Sequence, residues 1–480
     1  MNTPLTALAE PTAGLDQDPF RAIFERMYAQ SWITRRTKAR ERKEKLRRML
    51  RWIETNSQRL QDALQADFRK HPEETVLTEQ FPVRAEIHEI VRNLDRWMRP
   101  RRIPTPLHLA GTVSHVRQEA KGLVLIISPW NFPFLLTLRP LASAIAAGNT
   151  VIIKTSEHAP HSAACMEQLV QDVFDPDEVR LIQGDATVAQ RLLKLPFNHI
   201  FFTGSTAVGK IVMEAASQHL SSVTLELGGK SPVIIVKDAD VTKAAADIAW
   251  GRTLNSGQAC VAPDYVLIHE DHLASFVAQY QQQITRMYGD DPSQESSLAR
   301  IINLHHFRRL RGLLEDAARQ GAQISVGGQT NEADLYIAPT LLTNVTSQMK
   351  VMQEEIFGPI LPVMTFRDRD EAVARINALP RPLSMYVFAR QAPDVDYFLA
   401  RIMCGDVVIN NCVIHFGHSK LGVGGSNSSG IGKGLGHAGF LEFTHERGVM
   451  QHKMLDFSML FPSYNNKLTQ TILRWYYKLG

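Results

Sequence analysis

Three short motifs contain residues of the kinds that carry out nucleophilic catalysis. Cys260 ends the segment NSGQAC, after a glycine-containing turn and just before an apolar strand, and loops on a rigid scaffold are where reactive groups tend to lie. Glu226 lies between apolar residues in LELGGK, and burial there would raise its pKa and make it a usable base. Asn131, in SPWNFP, follows an apolar run, and its amide could donate a hydrogen bond to a developing oxyanion.

Each of these residues also has an ordinary structural explanation. A lone cysteine such as Cys260 is more often buried and inert than reactive. Glu226 could cap a strand end or form an ion pair with Lys230, and Asn131 could form an Asx turn before Pro133. Taken singly, the three residues do not decide between catalysis and packing.

Two further motifs could bind a nucleotide. The segment FTGSTAVG follows a predicted strand and opens a predicted helix, and its Gly204 and Gly209 would let a phosphate approach the helix N-terminus. The segment is not GxGxxG, so by itself it is a weak nucleotide signal. Lys154 and Glu157, in KTSE, follow another predicted strand and could hold ribose hydroxyls or lie on the surface.

The segment EEIFGP adds a carboxylate and an aromatic ring. Glu355 could hold a ribose, and the ring of Phe357 could lie against a nicotinamide. The alternative is a turn with one buried aromatic side chain.

The elements that must position these motifs are predicted by hydrophobic periodicity. From Pro19 to Met98, strong helix formers dominate and apolar residues recur at helical spacing. Over residues 122–202, and again over 232–287, short apolar runs alternate with helical segments, which predicts mostly parallel, doubly wound sheets. The segment Gly417–Gly439 is so rich in glycine that we predict a loop.

Composition excludes several classes of protein. The chain has 480 residues, of which 44% are hydrophobic and 21% charged, and this argues against disorder and a fibrous structure. The net charge of +4 is too small to indicate nucleic acid. Basic residues between Arg35 and Arg51 indicate either a solvated helix face or an anion-binding patch. Four cysteines without a CxxC pair indicate neither a disulfide scaffold nor a metal site, and favour a reducing compartment.

The termini and the hydropathy profile bear on location. No apolar stretch approaches the roughly 18 residues that span a bilayer, and the N-terminus lacks the features of a signal peptide. We therefore expect a soluble, cytoplasmic protein with a flexible lead over residues 1–18. An amphipathic helix is predicted at the C-terminus, where it could cap the substrate entrance, lie on a membrane surface or pack on the protein's own body. Its apolar face would consist of Leu468, Ile472, Trp475, Tyr476 and Leu479.

Taken together, the motifs resemble the aldehyde dehydrogenase superfamily. The order SPWNFP, KTSE, FTGSTAVG, ELGGK, NSGQAC, EEIFGP and a late GGxxxSGxG is the order of that family, and the likeness runs from about Pro19 to Val449. The separation of 34 residues between Glu226 and Cys260 also matches (260 − 226). Finer segments, WNFPFLLTLRP and CVAPDY, are similar to the class 3 branch, the fatty and aromatic aldehyde dehydrogenases.

The resemblance implies a role for each motif. Cys260 corresponds to the nucleophile, Glu226 to the general base of deacylation, and Asn131 to the residue that stabilises the oxyanion. In the class 3 branch the glutamate at position 355 has also been considered as the base, so that role is shared. The implied contacts with a nicotinamide dinucleotide are Trp130, Lys154, Glu157, Gly204, Ser205, Gly209, Glu355 and Phe357, and no metal is implied.

The resemblance also implies cofactor, substrate and architecture. Glu157 favours a ribose 2′-hydroxyl, so NAD is expected first, with NADP as the alternative. The expected fold is α/β, with a Rossmann-type cofactor domain (residues 19–100 and 121–226) and a catalytic domain (227–415). A small β segment (101–120 and 416–450) bridges subunits in an expected homodimer, and a tail covers 451–480. The expected substrate is a small-molecule aldehyde, long-chain or aromatic, which is oxidised to the acid through a thioester on Cys260.

The sequence departs from the family pattern at the late glycine-rich segment. The usual Pro-Phe-Gly-Gly-Val appears as Gly422–Ser426, so a phenylalanine near the substrate end is lost and a flexible loop is expected. The shape of the aldehyde pocket is therefore left open. The alternatives are an enzyme that passes the acyl group to coenzyme A, and a binding or structural homologue that has lost activity.

Overall fold

A computed structural model describes residues 18–453, 461–462 and 464–479 of the chain. Most of the predicted flexible lead, residues 1–17, lies outside the described residues, as do residues 454–460, 463 and 480 of the predicted tail. The side chains of Tyr476 and Leu479, two members of the predicted apolar face, are also outside this description.

The described residues form seventeen α-helices and eighteen strands. The helices are α1 (Pro19–Thr34), α2 (Ala39–Thr55), α3 (Ser57–Phe68), α4 (Pro72–Thr75), α5 (Phe81–Trp97), α6 (Pro133–Ala147), α7 (Pro160–Val173), α8 (Ala186–Leu193), α9 (Thr206–Ser217), α10 (Val241–Thr253), α11 (Leu273–Tyr288), α12 (Leu304–Arg319), α13 (Lys350–Gln353), α14 (Arg369–Asn377), α15 (Ala392–Leu399), α16 (Gly436–Glu442) and α17 (Lys467–Leu479). A π-helical turn, Val76–Gln80, connects α4 to α5.

The strands are β1 (Arg101–Ile103), β2 (Thr112–Ala120), β3 (Leu123–Ile127), β4 (Thr150–Lys154), β5 (Val179–Ile182), β6 (His199–Thr203), β7 (Ser222–Glu226), β8 (Pro232–Ile235), β9 (Tyr265–His269), β10 (Gln323–Val326), β11 (Thr330–Asn331), β12 (Tyr336–Ile337), β13 (Thr340–Thr343), β14 (Ile360–Phe366), β15 (Ser384–Phe388), β16 (Asp406–Ile409), β17 (Gly430–Ile431) and β18 (Thr444–His452).

The first large sheet has the strand order β17-β7-β6-β3-β4-β5 and is parallel except for β17. The chain runs outward from β3 to β5 and then returns to the other side of β3, so the strand order reverses beside β3. In open α/β sheets, ligands bind outside the carboxyl ends of strands at such a reversal. Asn131 and Ser205 follow strands of this sheet at that end, and Lys154 is the last residue of another.

The second large sheet has the order β10-β13-β14-β9-β8-β15-β16, with only β10 antiparallel. Its central strands are short, buried apolar runs, and together with the helices around them they form the largest buried cluster among the described residues. The predicted α/β fold with two parallel-stranded units is therefore confirmed.

A third sheet, β1-β2-β18, is antiparallel and joins two distant parts of the chain. Its main ladder pairs β2 with β18 over nine residues, from Thr112 opposite His452 to Ala120 opposite Thr444. The outer edge of β18 has no partner strand among the described residues. The proposed domain limits stay a prediction, and the segment 416–450 contributes β17 to the first large sheet as well as β18 to this one.

The prediction of a loop over Gly417–Gly439 is wrong in part, because β17 and the start of α16 lie within it. Several of its glycines are needed for close packing. A Cβ atom on Gly430, where φ is +147°, would lie 2.2 Å from the carbonyl oxygen of Leu225, and one on Gly422 would lie 2.7 Å from Cβ of Ala438. High glycine content here reflects backbone contact, which composition cannot distinguish from flexibility.

The basic run between Arg35 and Arg51 is partly structural. Arg42 is buried, and its guanidinium donates to the carbonyl oxygens of Ala146 (3.0 Å) and Arg35 (3.1 Å). Lys45 lies 2.5 Å from a carboxylate oxygen of Glu178. These contacts fasten α2 to α6 and to Glu178. The rest of the run is the predicted solvated helix face, because Arg40, Arg47, Arg48 and Arg51 are exposed and the apolar side of α2 is buried.

The C-terminal helix α17 lies against the short turn Leu107–Leu109. Thr469 is buried, whereas Leu468 and Trp475 are exposed. None of the helices in the described part of the chain is long and apolar enough to cross a membrane.

Candidate active site

Cys260 follows a turn with an unusual backbone conformation. After α10, three consecutive residues, Asn255, Ser256 and Gly257, have φ values of 49°, 54° and 73°. Non-glycine residues rarely adopt positive φ, and such strain persists only where surrounding contacts enforce it. At Gly257 a side chain is excluded, because a Cβ atom would lie 2.3 Å from the carbonyl oxygen of Gly358.

The side chain of Gln258 holds this turn in place. Its amide nitrogen donates to the carbonyl oxygens of Asn255 (2.9 Å) and Arg300 (3.0 Å), and its amide oxygen accepts from the N–H of Ile302 (3.0 Å). Gln258, Asn255 and Ile302 are buried and Arg300 is half-buried, so these hydrogen bonds are stronger and more costly to break than in water. Cys260 is therefore presented by a rigid turn.

Asn131 lies directly against the same turn. Its buried side-chain amide donates to the carbonyl oxygen of Gln258 (3.1 Å), and its own carbonyl oxygen accepts from the amide of Asn255 (2.8 Å). An amide nitrogen carries two protons, so one bond to Gln258 leaves the second available. The structure thus brings together Asn131 and Cys260, two residues that the sequence placed 129 positions apart (260 − 131).

The Cys260 thiol lies in an environment that disfavours its ionisation. Burial, followed by the carboxylates of Glu355 and Glu226, raises the pKa of the Cys260 thiol to about 12. The backbone N–H groups of Cys260 and Val261 act in the opposite direction. A base must therefore remove the proton for the sulfur to act as a nucleophile near neutral pH.

Glu226 ends β7, opposite Thr203 and Gly430 in the neighbouring strands. Its carboxylate lies against Gly434, where a Cβ atom would be 2.4 Å from Oε1. Burial raises the pKa of Glu226 to about 7, and the positive charge of Arg139 opposes this shift. A carboxylate with a pKa in this range can exchange protons at neutral pH.

Glu355 is the second acidic group near the cysteine. Its carboxylate lies against Gly228, where a Cβ atom would be 2.0 Å from Oε2, and the N–H of Gly229 donates to it. Burial, followed by the charge of Asp264, raises the pKa of Glu355 to about 8. Both glutamates are therefore suited to act as bases near Cys260.

Lys230 does not pair with Glu226, contrary to the alternative drawn from the sequence. It forms a buried ion pair with Asp264 and donates to the carbonyl oxygens of Val351 (2.7 Å) and Glu354 (3.0 Å). The other carboxylate oxygen of Asp264 accepts from the N–H of Ile356 (3.0 Å). This pair fixes the EEIFGP segment, and sequence reasoning missed Asp264.

Arg139 was also missed. It is buried in α6, and it donates to the carbonyl oxygens of Phe416 (2.8 Å) and Pro82 (3.3 Å). Its charge faces Glu86 and Glu226. An arginine inside the otherwise apolar segment PFLLTLRPLASAIAA was a signal that could have identified it, because a buried charge needs a partner.

The residues proposed to hold the adenosine and pyrophosphate groups lie at strand ends of the first large sheet. Lys154 is buried at the end of β4, with its Nζ 3.7 Å from Oε2 of the more exposed Glu157. Ser205 caps α9, where its hydroxyl accepts from the N–H of Val208 (3.3 Å). At Gly204 a Cβ atom would lie 2.5 Å from Cζ of Phe202, so a side chain is excluded there. These groups fit a dinucleotide phosphate and ribose.

The predicted contact of Gly209 with a pyrophosphate stays a prediction, and the structure shows a packing role for this glycine. It is buried in α9, and a Cβ atom there would lie 2.7 Å from Cδ2 of Leu227. A glycine is therefore needed so that α9 can pack against the sheet, and this contact sets the position of the helix end indirectly.

The two proposed aromatic contacts meet each other. The rings of Trp130, after β3, and Phe357, in EEIFGP, are 5.4 Å apart and nearly perpendicular, and His306 lies 5.0 Å from Trp130. Phe357 has a φ of 52°, a strained conformation for a bulky residue. The cluster joins the ends of the two large sheets next to Glu355.

An apolar cavity of about 210 Å³ opens beside Cys260. Its walls include Phe132, Leu135, Leu136, Trp250, Leu254 and Phe416, with Leu77, Phe81 and Ile414 exposed around it. Val423, which replaces the lost phenylalanine, is buried away from this lining and bonds to Gly434 in both directions (3.2 and 2.8 Å). The segment Gly422–Ser426 is a loop, as expected, that is fastened by this bridge at Val423, and its flexibility stays a prediction.

The comparisons with known proteins agree with this geometry. A family model described as "Aldehyde dehydrogenase family" matches residues 11–449. The chain is 40% identical over 427 residues to the 4,4'-diaponeurosporen-aldehyde dehydrogenase of Staphylococcus aureus, covering 89% of this chain and 92% of that one. It is 38% identical over 470 residues to the mouse aldehyde dehydrogenase family 3 member B3, covering 97% and 96%.

Solved structures show the same likeness. The substrate-bound state of Staphylococcus aureus AldH superposes with a TM-score of 0.91 at 37% identity, covering 95% of this chain and 99% of that one. PnpE in complex with nicotinamide adenine dinucleotide gives a TM-score of 0.84 at 26% identity, covering 92% and 91%. The resemblance noted in the sequence is confirmed, and the chain belongs to the aldehyde dehydrogenase family.

Proposed function

We propose that this enzyme oxidises a long-chain or aromatic aldehyde to the carboxylic acid, with a nicotinamide dinucleotide as oxidant and Cys260 as nucleophile. The observation that carries the proposal is an apolar cavity lined in part by Cys260, whose rigid turn is bonded directly to the Asn131 amide. The balanced reaction consumes aldehyde, oxidised dinucleotide and water, and yields acid, reduced dinucleotide and a proton.

The residues at the strand ends support a dinucleotide cofactor. Lys154, Glu157 and the α9 end at Ser205 would hold its ribose and phosphates, and Glu355 and Phe357 would hold the nicotinamide half. The carboxylate of Glu157 favours a free 2′-hydroxyl, so NAD is proposed before NADP. When bound, the nicotinamide supplies the hydride acceptor.

The first half of the reaction is acylation of Cys260. A base takes the thiol proton, and the sulfur forms a bond to the aldehyde carbon. The resulting oxyanion is held by the Asn131 amide and the backbone N–H of Cys260; losing one such donor typically costs roughly 2.7–4 kcal/mol. Departure of the hydride then leaves a thioester on Cys260.

The second half is hydrolysis of the thioester. Glu226, whose pKa is raised to about 7, would take a proton from water as the water attacks the acyl carbon. Glu355, whose pKa is raised to about 8, is the alternative base. After burial, its negative charge makes the largest contribution to raising the pKa of the Cys260 thiol. Release of the acid returns the thiol.

The lining of the cavity supports an apolar substrate. Thr78 and Cys260 provide its polar side chains, and the remaining lining residues are apolar or glycine. Burying one CH₂ group contributes ~0.8 kcal/mol, or about a fourfold gain in binding. The Staphylococcus aureus relative is named for the aldehyde 4,4'-diaponeurosporen-aldehyde, and this name is in keeping with an apolar substrate here.

We also propose a cytoplasmic homodimer in which β18 continues a sheet across the subunits. An unpaired strand edge favours pairing with another chain, and β18 has such an edge among the described strands. Membrane contact by α17 stays a proposal that rests on its exposed Leu468 and Trp475. Light scattering at micromolar concentration should give twice the chain mass; a monomer would contradict the dimer.

The reaction is tested by following NADH absorbance with short, long-chain and aromatic aldehydes. The wild type should form NADH, with higher kcat/KM for long or aromatic aldehydes, and Cys260→Ala should form none. Cys404→Ala is the matched control, because Cys404 is a partly exposed cysteine outside the cavity. Silence of the wild type with both NAD and NADP would contradict the proposal, and acyl-CoA formation on adding coenzyme A would replace hydrolysis by acyl transfer.

The raised pKa values of the two glutamates predict the pH dependence. A carboxylate acts as a base only when ionised, and the pKa values of Glu226 and Glu355 are raised to about 7 and 8. We expect kcat to rise between about pH 6 and 9, well above the range of an ordinary glutamate. Glu226→Gln should lower kcat by about 100-fold or more.

The control for the pH profile is Glu354→Gln, which changes an exposed neighbour of Glu355 that pairs with Arg309. It should keep the wild-type profile. A wild-type kcat that does not change between about pH 6 and 9 would show that neither glutamate limits the reaction as a base.

A further inference from the structure

Beneath the two catalytic loops lies a segment, residues 70–80, that contains a buried lysine, Lys70, and two inward-facing carboxylates, those of Glu74 and Glu79. It comprises Lys70, the short helix α4 and the π-helical turn Val76–Gln80. The sequence predicted only helix here. Glu79 bonds to the helix after Asn131 and Glu74 to the turn before Cys260, whereas Glu73 is exposed.

Glu79 caps the helix that follows Asn131. Its side chain is fully buried, and its Oε2 accepts from the N–H groups of Phe134 (2.8 Å) and Leu135 (3.1 Å) in the first turn of α6. The first N–H groups of a helix have no partner within it, and a carboxylate there is favoured by the helix dipole. Glu79 therefore sets where α6 begins, two residues after Asn131.

The carboxylate of Glu74 holds the backbone of the other loop, the turn before Cys260. Its Oε1 accepts from the N–H of Asn255 (2.8 Å), the first residue of the left-handed turn that presents Cys260. Asn255 has a φ of 49°, a conformation that is unfavourable for a residue with a side chain and persists only with support from its surroundings. Glu74 is one source of that support.

Lys70 links the two carboxylates. Its Nζ lies 3.0 Å from Oε1 of Glu79, with both side chains fully buried, and it lies 4.2 Å from the ring centre of Phe132. Its charge also acts on Glu74. Removing one partner of a buried ion pair is far more damaging than removing both, because an uncompensated charge is left behind.

The π-helical turn explains how both carboxylates face inward. Glu74 and Glu79 are five residues apart, and at about 100° per residue in a regular α-helix they would point roughly 140° apart. The π turn, in which the N–H of Phe81 bonds to the carbonyl oxygen of Val76, widens the helix between them. Such turns are rare and occur often at functional sites. On its outer side, Leu77 lines the substrate cavity.

We infer that Lys70, Glu74 and Glu79 are positioning residues for the proposed reaction: together they fix the Asn131 amide relative to the Cys260 turn. This inference rests on the proposed function. A 1 Å displacement of a catalytic group can cost about 100-fold in rate, so a support that acts on both loops at once bears directly on the oxyanion site.

The test compares Glu79→Gln with the double variant Lys70→Met/Glu79→Gln in the full-length enzyme. In the single variant, Lys70 attracts the side-chain oxygen of the new glutamine. Its NH₂ group then faces the N–H groups of Phe134 and Leu135, which are also donors and cannot bond to it. We expect kcat to fall about 10- to 100-fold, with the aldehyde KM and NAD affinity changed less than about threefold. In the double variant the amide can turn its oxygen to α6, and kcat should recover at least about tenfold.

Glu73→Ala is the matched control, since Glu73 is an exposed neighbour on α4, and it should behave as wild type. Thermal unfolding is measured for every variant. If Glu79→Gln does not fold, Glu74→Ala replaces it, because Glu74 is partly exposed and its substitution disturbs the core less. Glu74→Ala should have a lower kcat than the wild type, and its Cys260 should react more slowly with iodoacetamide.

The outcomes separate this inference from the proposed function. A wild type without aldehyde-dependent NADH formation would contradict the proposed function itself. If the wild type is active and Glu79→Gln, or Glu74→Ala in its place, has the same kcat as the wild type, the positioning inference is overturned. A double variant as slow as the single one would also overturn it, because the charge pair would then be needed only to hold the fold.

Discussion

The site depends on one backbone constraint, the left-handed turn over Asn255–Gly257 that presents Cys260. Three consecutive residues with positive φ do not persist without support. The support comes from hydrogen bonds on several sides. The side-chain amide of Gln258 bonds to the backbone of the turn and of Arg300, and the side-chain amides of Asn131 and Asn255 each donate to a backbone carbonyl of the other loop. The carboxylate of Glu74 accepts from the N–H of Asn255. The reactive sulfur therefore has a defined position before any ligand binds, which is the preorganisation that catalysis by fixed dipoles needs.

Burial raises the pKa of each acidic group at the site, with opposite consequences for the thiol and for the two glutamates. It raises the pKa of Cys260 to about 12, which works against the thiolate, and it raises the pKa values of Glu226 and Glu355 to about 7 and 8, which makes them usable bases. Positive charges limit these shifts: Arg139 lowers the pKa of Glu226, and Lys230 and Arg309 lower that of Glu355. The same low-dielectric surroundings provide the apolar cavity. An enzyme of this design needs a base close to its nucleophile, and the chain places two there.

The sequence predicted the elements well where burial alone decides them. The apolar runs before Asn131 and Lys154 are buried strands, because each is short and covered on both faces. It did not predict groups whose role depends on distant partners. Glu79 caps a helix 55 residues away, and Arg139 reaches a carbonyl 277 residues away. The sequence offered the nearby Glu226 as one possible partner of Lys230, whereas the structure pairs Lys230 with Asp264, 34 positions farther on. Glycines were misread for the same reason, since Gly430 meets the carbonyl of Leu225 across the sheet.

The central claim is that oxidation passes through a thioester on Cys260, and intact-protein mass spectrometry tests it most directly. Glu226→Gln is mixed with NAD and a long-chain aldehyde, since slowed hydrolysis should let the acyl enzyme accumulate. The account predicts an added mass equal to the aldehyde less one hydride and one proton, located on the peptide that contains Cys260, and absent without NAD. Formation of NADH by this variant with no acyl group on Cys260, or with the group on another residue, would contradict it.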